Sequence, residues 1–142
     1  MRVLLTERIV CCCILATICL APGAQALTLV KAGKPVSVIV TSGKPREGQA
    51  LAAVELQEHI RLMSGATLPI VAEKELKPGM AKVLILVGQS NRVTKHGVNT
   101  KSMPPESFVI KTVPGALILA GEDGGSRRNA RNGTLWAVYD FL

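Results

Sequence analysis

The chain has 142 residues, a formal net charge of +7 and four cysteines. A chain of this length can bury one hydrophobic core, so we expect one folded domain. Its basic residues are spread along the sequence rather than gathered in a stripe with interleaved aromatic side chains, which argues against a nucleic-acid partner.

The first 26 residues have the pattern of a cleaved export signal. Arg2 and Arg8 precede the apolar run IVCCCILATICLA, and small residues at positions 24 and 26 predict cleavage after Ala26. The run is shorter than the roughly 20 residues of a membrane-spanning helix, so we expect a periplasmic or extracellular protein with no stable membrane anchor after cleavage. All four cysteines lie in this segment, and residues 27–142 therefore contain no disulfide and no thiolate metal site.

The first two elements predicted after the signal are a strand and a long helix. The stretch PVSVIVT (35–41) is rich in β-branched residues and lies between turn residues, as a strand does. Residues 47–64 have helical periodicity, and Gly65 follows where a left-handed cap would end the helix. Four apolar side chains share the face that we expect to pack on a sheet: Ala52, Leu56, Ile60 and Met63.

Four further strands are predicted downstream. The stretch TLPIVAE (67–73) is a short strand, which Pro69 favours at an edge of the sheet. The stretch KVLILVG (82–88) has five consecutive apolar residues, a pattern typical of a central strand covered on both faces. After a long polar connection with room for one short helix, SFVIKTV and ALILAGE form two strands joined by a hairpin-like turn at Pro114-Gly115.

The last predicted element is a helix that begins near residue 132, where Asn and Thr side chains can hold the free amides of a first turn. Leu135, Val138 and Leu142 fall on one face, whereas Trp136 and Tyr139 point toward another. A helix that is apolar on more than one side is usually buried on two sides. The order β-α-β-β-β-β-α predicts an α+β fold of the α/β sandwich-like kind, with a mixed sheet of about five strands packed by two main helices.

The sequence offers few residues for metal binding or acid–base catalysis. His59 and His96, the only histidines, lie in different elements and lack the spacing of a zinc site, so we expect no metal and no cofactor. Glu55 and Glu58 belong to the exposed side of the first helix, where Arg61 is a neighbour of Glu58 three residues on. A solvated helix face is the simpler interpretation of these two glutamates.

The segment AGEDGGSRRNARNG (120–133) contains the main candidate site. Glu122 and Asp123 end a strand ahead of a loop, which suits functional carboxylates, although turn formation is the alternative. Arg127, Arg128 and Arg131 could bind an anion together with the amides of the following helix start. The alternative is a solvated loop, and the segment matches neither the dinucleotide-binding glycine pattern nor the P-loop.

Four stretches of the chain resemble a known family: GQALAAVELQEHIRLMSGATLPIV, KVLILVGQS, PESFVIKTVPGALILAGED and NGTLWAVYDFL. They are similar to the N-terminal non-catalytic domain of bacterial alpha-glucuronidases and to the equivalent domain of beta-hexosaminidases and related exported polysaccharide-degrading proteins. The resemblance covers about residues 34–142. It implies a mixed sheet with helices, followed in the chain by a (β/α)₈ barrel that holds the catalytic carboxylates.

No catalytic residue of that family has a counterpart in this sequence. The resemblance therefore implies that the parent protein is a glycosidase and that this chain lacks the catalytic domain. In this first hypothesis the downstream barrel is the partner, polysaccharide is the substrate class, and the interdomain contact is carried by four residues of the last helix: Leu135, Trp136, Val138 and Tyr139.

Two other hypotheses belong to different functional classes. One is a stand-alone exported binding protein for anionic saccharides, in which the three arginines of the loop hold the carboxylates of the ligand. The scarcity of aromatic residues outside the last helix weighs against it, because sugar rings commonly stack on flat side chains. The other is a complete small enzyme that uses one of the two carboxylates at the end of the strand.

Overall fold

The computed structural model describes residues 26–126 and 129–142. Most of the predicted export signal lies outside the described residues, and Ala26 is an exposed residue without regular structure. Arg127 and Arg128, two of the three predicted anion contacts, also lie outside them. No helix in the described part of the chain is long and apolar enough to cross a membrane.

The described residues form seven strands and three α-helices. The helices are α1 (Glu47–Ser64), α2 (Asn91–Lys95) and α3 (Gly133–Phe141). The strands are β1 (Val30–Lys31), β2 (Lys34–Pro35), β3 (Ser37–Thr41), β4 (Ile70–Ala72), β5 (Val83–Val87), β6 (Phe108–Val113) and β7 (Ala116–Gly121). A short antiparallel hairpin of β1 and β2, which the sequence analysis did not predict, precedes the main sheet.

The main sheet has five strands in the order β4-β3-β5-β7-β6. Its first four strands are parallel, whereas β6 runs antiparallel to β7. The predicted α+β fold with a mixed sheet of about five strands is therefore confirmed. Strand β5 lies at the centre of the sheet, as its apolar run predicts. Strand β4 lies at an edge, as Pro69 directly before it predicts.

Both faces of the sheet are covered, but by different elements. The long helices α1 and α3 pack on one face, where Leu56 and Val138 meet Ile39, Ile85 and Leu119. The opposite face is covered by α2 and the segment after it, which contribute Val93 and Val98. Alternate residues of β5 therefore enter two separate cores, and this explains its continuous apolar sequence.

Met63 was predicted on the packing face of α1, but this was wrong because its side chain is 68% exposed. Helix α1 has 18 residues and is about 27 Å long. The strand β3 that it crosses has five residues and spans only about 17 Å. The last turn of α1 therefore extends past the sheet, and the core contacts end at Ile60.

Two glycines allow α3 to begin directly against the end of β7. A Cβ atom at Gly121 would overlap the backbone of Gly133. A Cβ atom at Gly133 would lie 2.5 Å from the carbonyl oxygen of Ser107 and 2.7 Å from the amide nitrogen of Glu122. The backbones of β7 and α3 can approach this closely only because neither position carries a side chain.

We expect Gly121→Ala to lower the free energy of unfolding by about 2–3 kcal/mol, because the new methyl group must push α3 away from the sheet. Urea denaturation of both proteins measures this difference. Gly43→Ala is the matched control, since a Cβ atom there would meet nothing closer than Lys74 Cδ at 4.0 Å. Equal stability of the two variants would contradict the close packing of β7 and α3.

Candidate functional site

The carboxylate of Asp123 joins the ends of three elements. Its Oδ1 accepts a hydrogen bond from the Thr134 amide at 2.9 Å, and its Oδ2 accepts one from Gln49 Nε2 at 2.8 Å. The Thr134 hydroxyl also donates to Oδ2, while it accepts a bond from the amide of Gly121 at 3.1 Å. One side chain therefore holds α1, β7 and α3 together.

Asp123 acts as the N-terminal cap of α3 from a position 11 residues before Thr134. A carboxylate near a helix N-terminus is stabilised by the free amides and by the helix dipole. The prediction that Asn132 caps this helix with its own side chain was wrong, because that side chain makes no capping hydrogen bond. The sequence places Asp123 before a loop, but it does not reveal that the loop returns the helix start to this carboxylate.

Glu122 forms a bidentate ion pair with Arg131. Arg131 Nε donates to Oε2 at 2.6 Å and Nη2 donates to Oε1 at 2.8 Å. These hydrogen bonds hold the pKa of Glu122 below its ordinary value, and the amide of Glu106 adds a weaker bond. The same pair raises the pKa of Arg131. Arg131 therefore neutralises an internal carboxylate, which counts against its predicted role as an anion contact.

The backbone closes the loop between β7 and α3 beside this ion pair. The Arg131 amide donates to the Gly124 carbonyl oxygen at 2.9 Å, and the Gly124 amide donates to the Arg131 carbonyl oxygen at 3.3 Å. The loop is thus pinned at both ends. The other two predicted anion contacts, Arg127 and Arg128, lie outside the described residues.

The other candidate side chains of the sequence analysis are separate from this segment. His59 Nδ1 donates to the carbonyl oxygen of Glu55, one turn earlier in α1, at 2.8 Å. Arg61 donates two hydrogen bonds to Glu58, at 2.8 and 2.6 Å, so the predicted pair on the helix surface is confirmed. These bonds lower the pKa of Glu58. In the described part of the chain no group of three or more His, Cys, Asp and Glu residues is placed to hold a metal ion.

Helix α3 divides its apolar side chains between the core and the surface. Leu135 and Val138 are buried against the sheet. Trp136 and Tyr139 are 46% and 43% exposed, and their ring centroids lie 6.1 Å apart in a tilted arrangement. Of the four residues predicted to make an interdomain contact, Leu135 and Val138 are therefore occupied by this domain's own core. Only Trp136 and Tyr139 have side chains free for a partner.

Further exposed apolar residues lie on the same side of the sheet as α3. Phe108 and Ile110 in β6 are paired in register with Gly121 and Leu119, so they share the face on which α1 and α3 pack. Helix α1 adds side chains on its outer surface. We define the apolar face by its exposed members: Leu51, Val54, Phe108, Ile110, Trp136 and Tyr139.

A polar cleft of about 620 Å³ lies at the carboxyl ends of β3 and β5. The residues after β3 lead to α1 on one face of the sheet, whereas those after β5 lead to α2 on the other face. The two loops therefore diverge, as they do at a topological switch point. Most of the lining comes from three segments: Ser42, Gly43, Lys44 and Arg46 after β3, Gln89, Ser90, Asn91 and Thr94 from the end of β5 into α2, and Asn99 and Lys101 after α2. Gln49 of α1 and Glu73 after β4 complete it.

The walls of this cleft are held by hydrogen bonds. Gln89 donates to the Thr94 hydroxyl at 2.7 Å and accepts from the Thr100 amide at 2.9 Å, which fixes the chain after α2 onto the loop after β5. Glu73 accepts from the Asn91 and Arg92 amides at 3.2 and 2.7 Å. The sequence analysis missed the cleft, because its only local signal is small and polar residues after two strands that are not neighbours in the chain.

Three regions of the described chain thus have candidate functional character. The first is the loop between β7 and α3, where Glu122, Asp123 and Arg131 already make hydrogen bonds or an ion pair within the domain. The second and third, the apolar face and the cleft, are open to a partner or a ligand. No protein-family model and no curated protein matches this chain.

We expect Asp123→Ala to lower the free energy of unfolding by about 2–3 kcal/mol, because the Thr134 amide and the Gln49 amide lose a charged acceptor. Asp123→Asn keeps one acceptor oxygen and should cost less. Urea denaturation compares these variants with Asp140→Ala, which removes an exposed carboxylate of α3 and should change stability by less than about 0.5 kcal/mol. If Asp123→Ala is no more destabilising than Asp140→Ala, the carboxylate does not hold α3 in place.

Proposed function

We propose that this chain is the accessory N-terminal domain of an exported glycoside hydrolase of the alpha-glucuronidase or hexosaminidase type, which degrades polysaccharides. In this proposal the chain has no catalytic activity of its own. The observation that carries it is the apolar face, a set of exposed apolar residues on the helix-covered side of the sheet that includes a tryptophan and a tyrosine. Several large exposed apolar side chains on one side of a domain are typical of a protein contact.

The composition of the apolar face supports docking to another folded domain. Tryptophan and tyrosine are enriched among the residues that contribute most to protein interfaces. Trp136 and Tyr139 are exposed, whereas Leu135 and Val138 are buried, so a partner could cover the two rings without disturbing the core. The identity of the partner, a (β/α)₈ barrel that follows the last helix, rests on the family resemblance.

The state of the carboxylates supports a non-catalytic role. An acid catalyst of a glycosidase needs a raised pKa so that it can donate a proton near neutral pH. The pKa of Glu122 is instead lowered by Arg131. Asp123 accepts hydrogen bonds from Gln49 and Thr134, so its carboxylate already has a structural role at the start of α3. These contacts argue against the hypothesis of a complete small enzyme.

The stand-alone saccharide-binding hypothesis loses one of its three arginines. Arg131 is paired with Glu122, so only Arg127 and Arg128 remain as candidate contacts in that loop. The loop alone therefore gives this second function little support.

The coding sequence tests the proposal first. We expect the reading frame to continue after Leu142 for several hundred codons, with alternating strand and helix patterns, because the proposed barrel must be encoded there. A stop codon directly after Leu142 would contradict the proposal.

The second test measures docking and activity in the proteins themselves. We expect Trp136→Ser combined with Tyr139→Ser to weaken binding to the separately expressed barrel by about thirtyfold or more, since buried aromatic anchors are typically worth about 2 kcal/mol or more. Met80→Ser is the control, because Met80 is 42% exposed but lies outside the apolar face. Unchanged binding in the double variant, or hydrolysis of aryl glycosides by this chain alone, would contradict the proposal.

A further inference from the structure

We propose that the cleft at the carboxyl ends of β3 and β5 binds a small anionic ligand that also carries hydroxyl groups. The cleft does not include any residue of the apolar face, and this inference does not rest on the proposed docking function. The cleft and the apolar face could therefore act independently.

The topology of the sheet places the cleft where α/β proteins commonly bind ligands. The loops after β3 and β5 separate because their helices cover opposite faces, and the gap between them opens at the carboxyl edge. The volume of about 620 Å³ lies within the usual range of small-molecule sites, roughly 300–1,000 Å³. A monosaccharide-sized molecule fits a space of this size.

The charges around the cleft favour an anion. Lys44, Arg46 and Lys101 line it from two separate segments, and no ion pair within the described residues involves them. Three cations line the cleft against one carboxylate, so the charge of its lining is positive, and Arg46 also interacts electrostatically with Glu122 outside the cleft. Flexible ammonium groups and a guanidinium are the donors that carboxylates and phosphates recruit most often.

Glu73 is the one acidic residue in the lining, and its charge is already compensated. Its two carboxylate oxygens accept hydrogen bonds from the Asn91 and Arg92 amides. The guanidinium of Arg92 also lies 3.7 Å from Glu73. The carboxylate therefore serves the start of α2, and the remaining charge in the cleft is positive.

The uncharged lining defines the rest of the ligand. Ser42, Ser90, Asn91 and Asn99 present hydroxyl and amide groups, which bind the hydroxyls of a polar molecule. None of the described residues that line the cleft is aromatic, so they offer no platform on which a nucleobase could stack. An acidic or phosphorylated sugar combines the anionic group and the hydroxyls that this lining matches.

Nuclear magnetic resonance of the ¹⁵N-labelled protein tests the site directly. The probes are D-glucuronate, glucose 6-phosphate and the neutral sugar glucose, each at up to about 10 mM, which detects millimolar affinity. We expect at least one anionic sugar to shift the amide signals of Gly43, Gln89 and Ser90 in a saturable way, while glucose does not. The sugar that does so identifies the anion as a carboxylate or a phosphate. Shifts with glucose of equal size, or no shifts with any probe, would overturn the proposal.

Variants that remove one positive charge each test which lysines contribute to ligand affinity. We expect Lys44→Met and Lys101→Met each to weaken binding about tenfold, as loss of a charge-assisted hydrogen bond does. Lys34→Met removes the same charge from the exposed strand β2, which precedes β3 and lies outside the cleft, and should leave the affinity unchanged. Equal loss in all three variants would mean that the ligand senses only the net charge of the protein, and this would overturn the site.

Discussion

The hydrogen bonds to the Asp123 carboxylate hold the starts of the two long helices together at the end of the sheet. They fix the first turn of α3 through Thr134 and the first turns of α1 through Gln49, both against the end of β7. With the first turn held in this way, Val138 lies in the core and Trp136 remains exposed.

The same contacts separate the two open surfaces of the domain. Gln49 forms part of the cleft lining and also binds Asp123, so the start of α1 is rigidly placed between the cleft and α3. Gly88 strengthens this arrangement, because a Cβ atom there would lie 2.8 Å from Gln49 Cδ. The apolar face is formed by exposed residues of α1, α3 and β6, and none of these residues lines the cleft.

The sequence predicts elements well where one local signal dominates. The apolar run of β5, the periodicity of α1 and the turn at Pro114-Gly115 each reflect contacts that the local pattern encodes. Prediction fails where distant segments decide the outcome. Met63 is exposed because α1 outruns the strands beneath it, and α3 takes its cap from Asp123 rather than from Asn132. The cleft could not be predicted because it depends on β5 lying beside β3. The order of strands in a sheet cannot be deduced from the local sequence of each strand.

Hydroxyl-radical footprinting of Trp136 tests the central claim, that a partner domain covers the apolar face in the natural protein. The oxidation rate of its peptide, read by mass spectrometry, should be compared between this chain alone and this chain with the proposed barrel domain joined after it. We expect Trp136 to be oxidised several-fold more slowly in the two-domain protein, while Met80, exposed outside the apolar face, reacts at the same rate in both. An equal rate for Trp136 in the two proteins would show that nothing docks on α3.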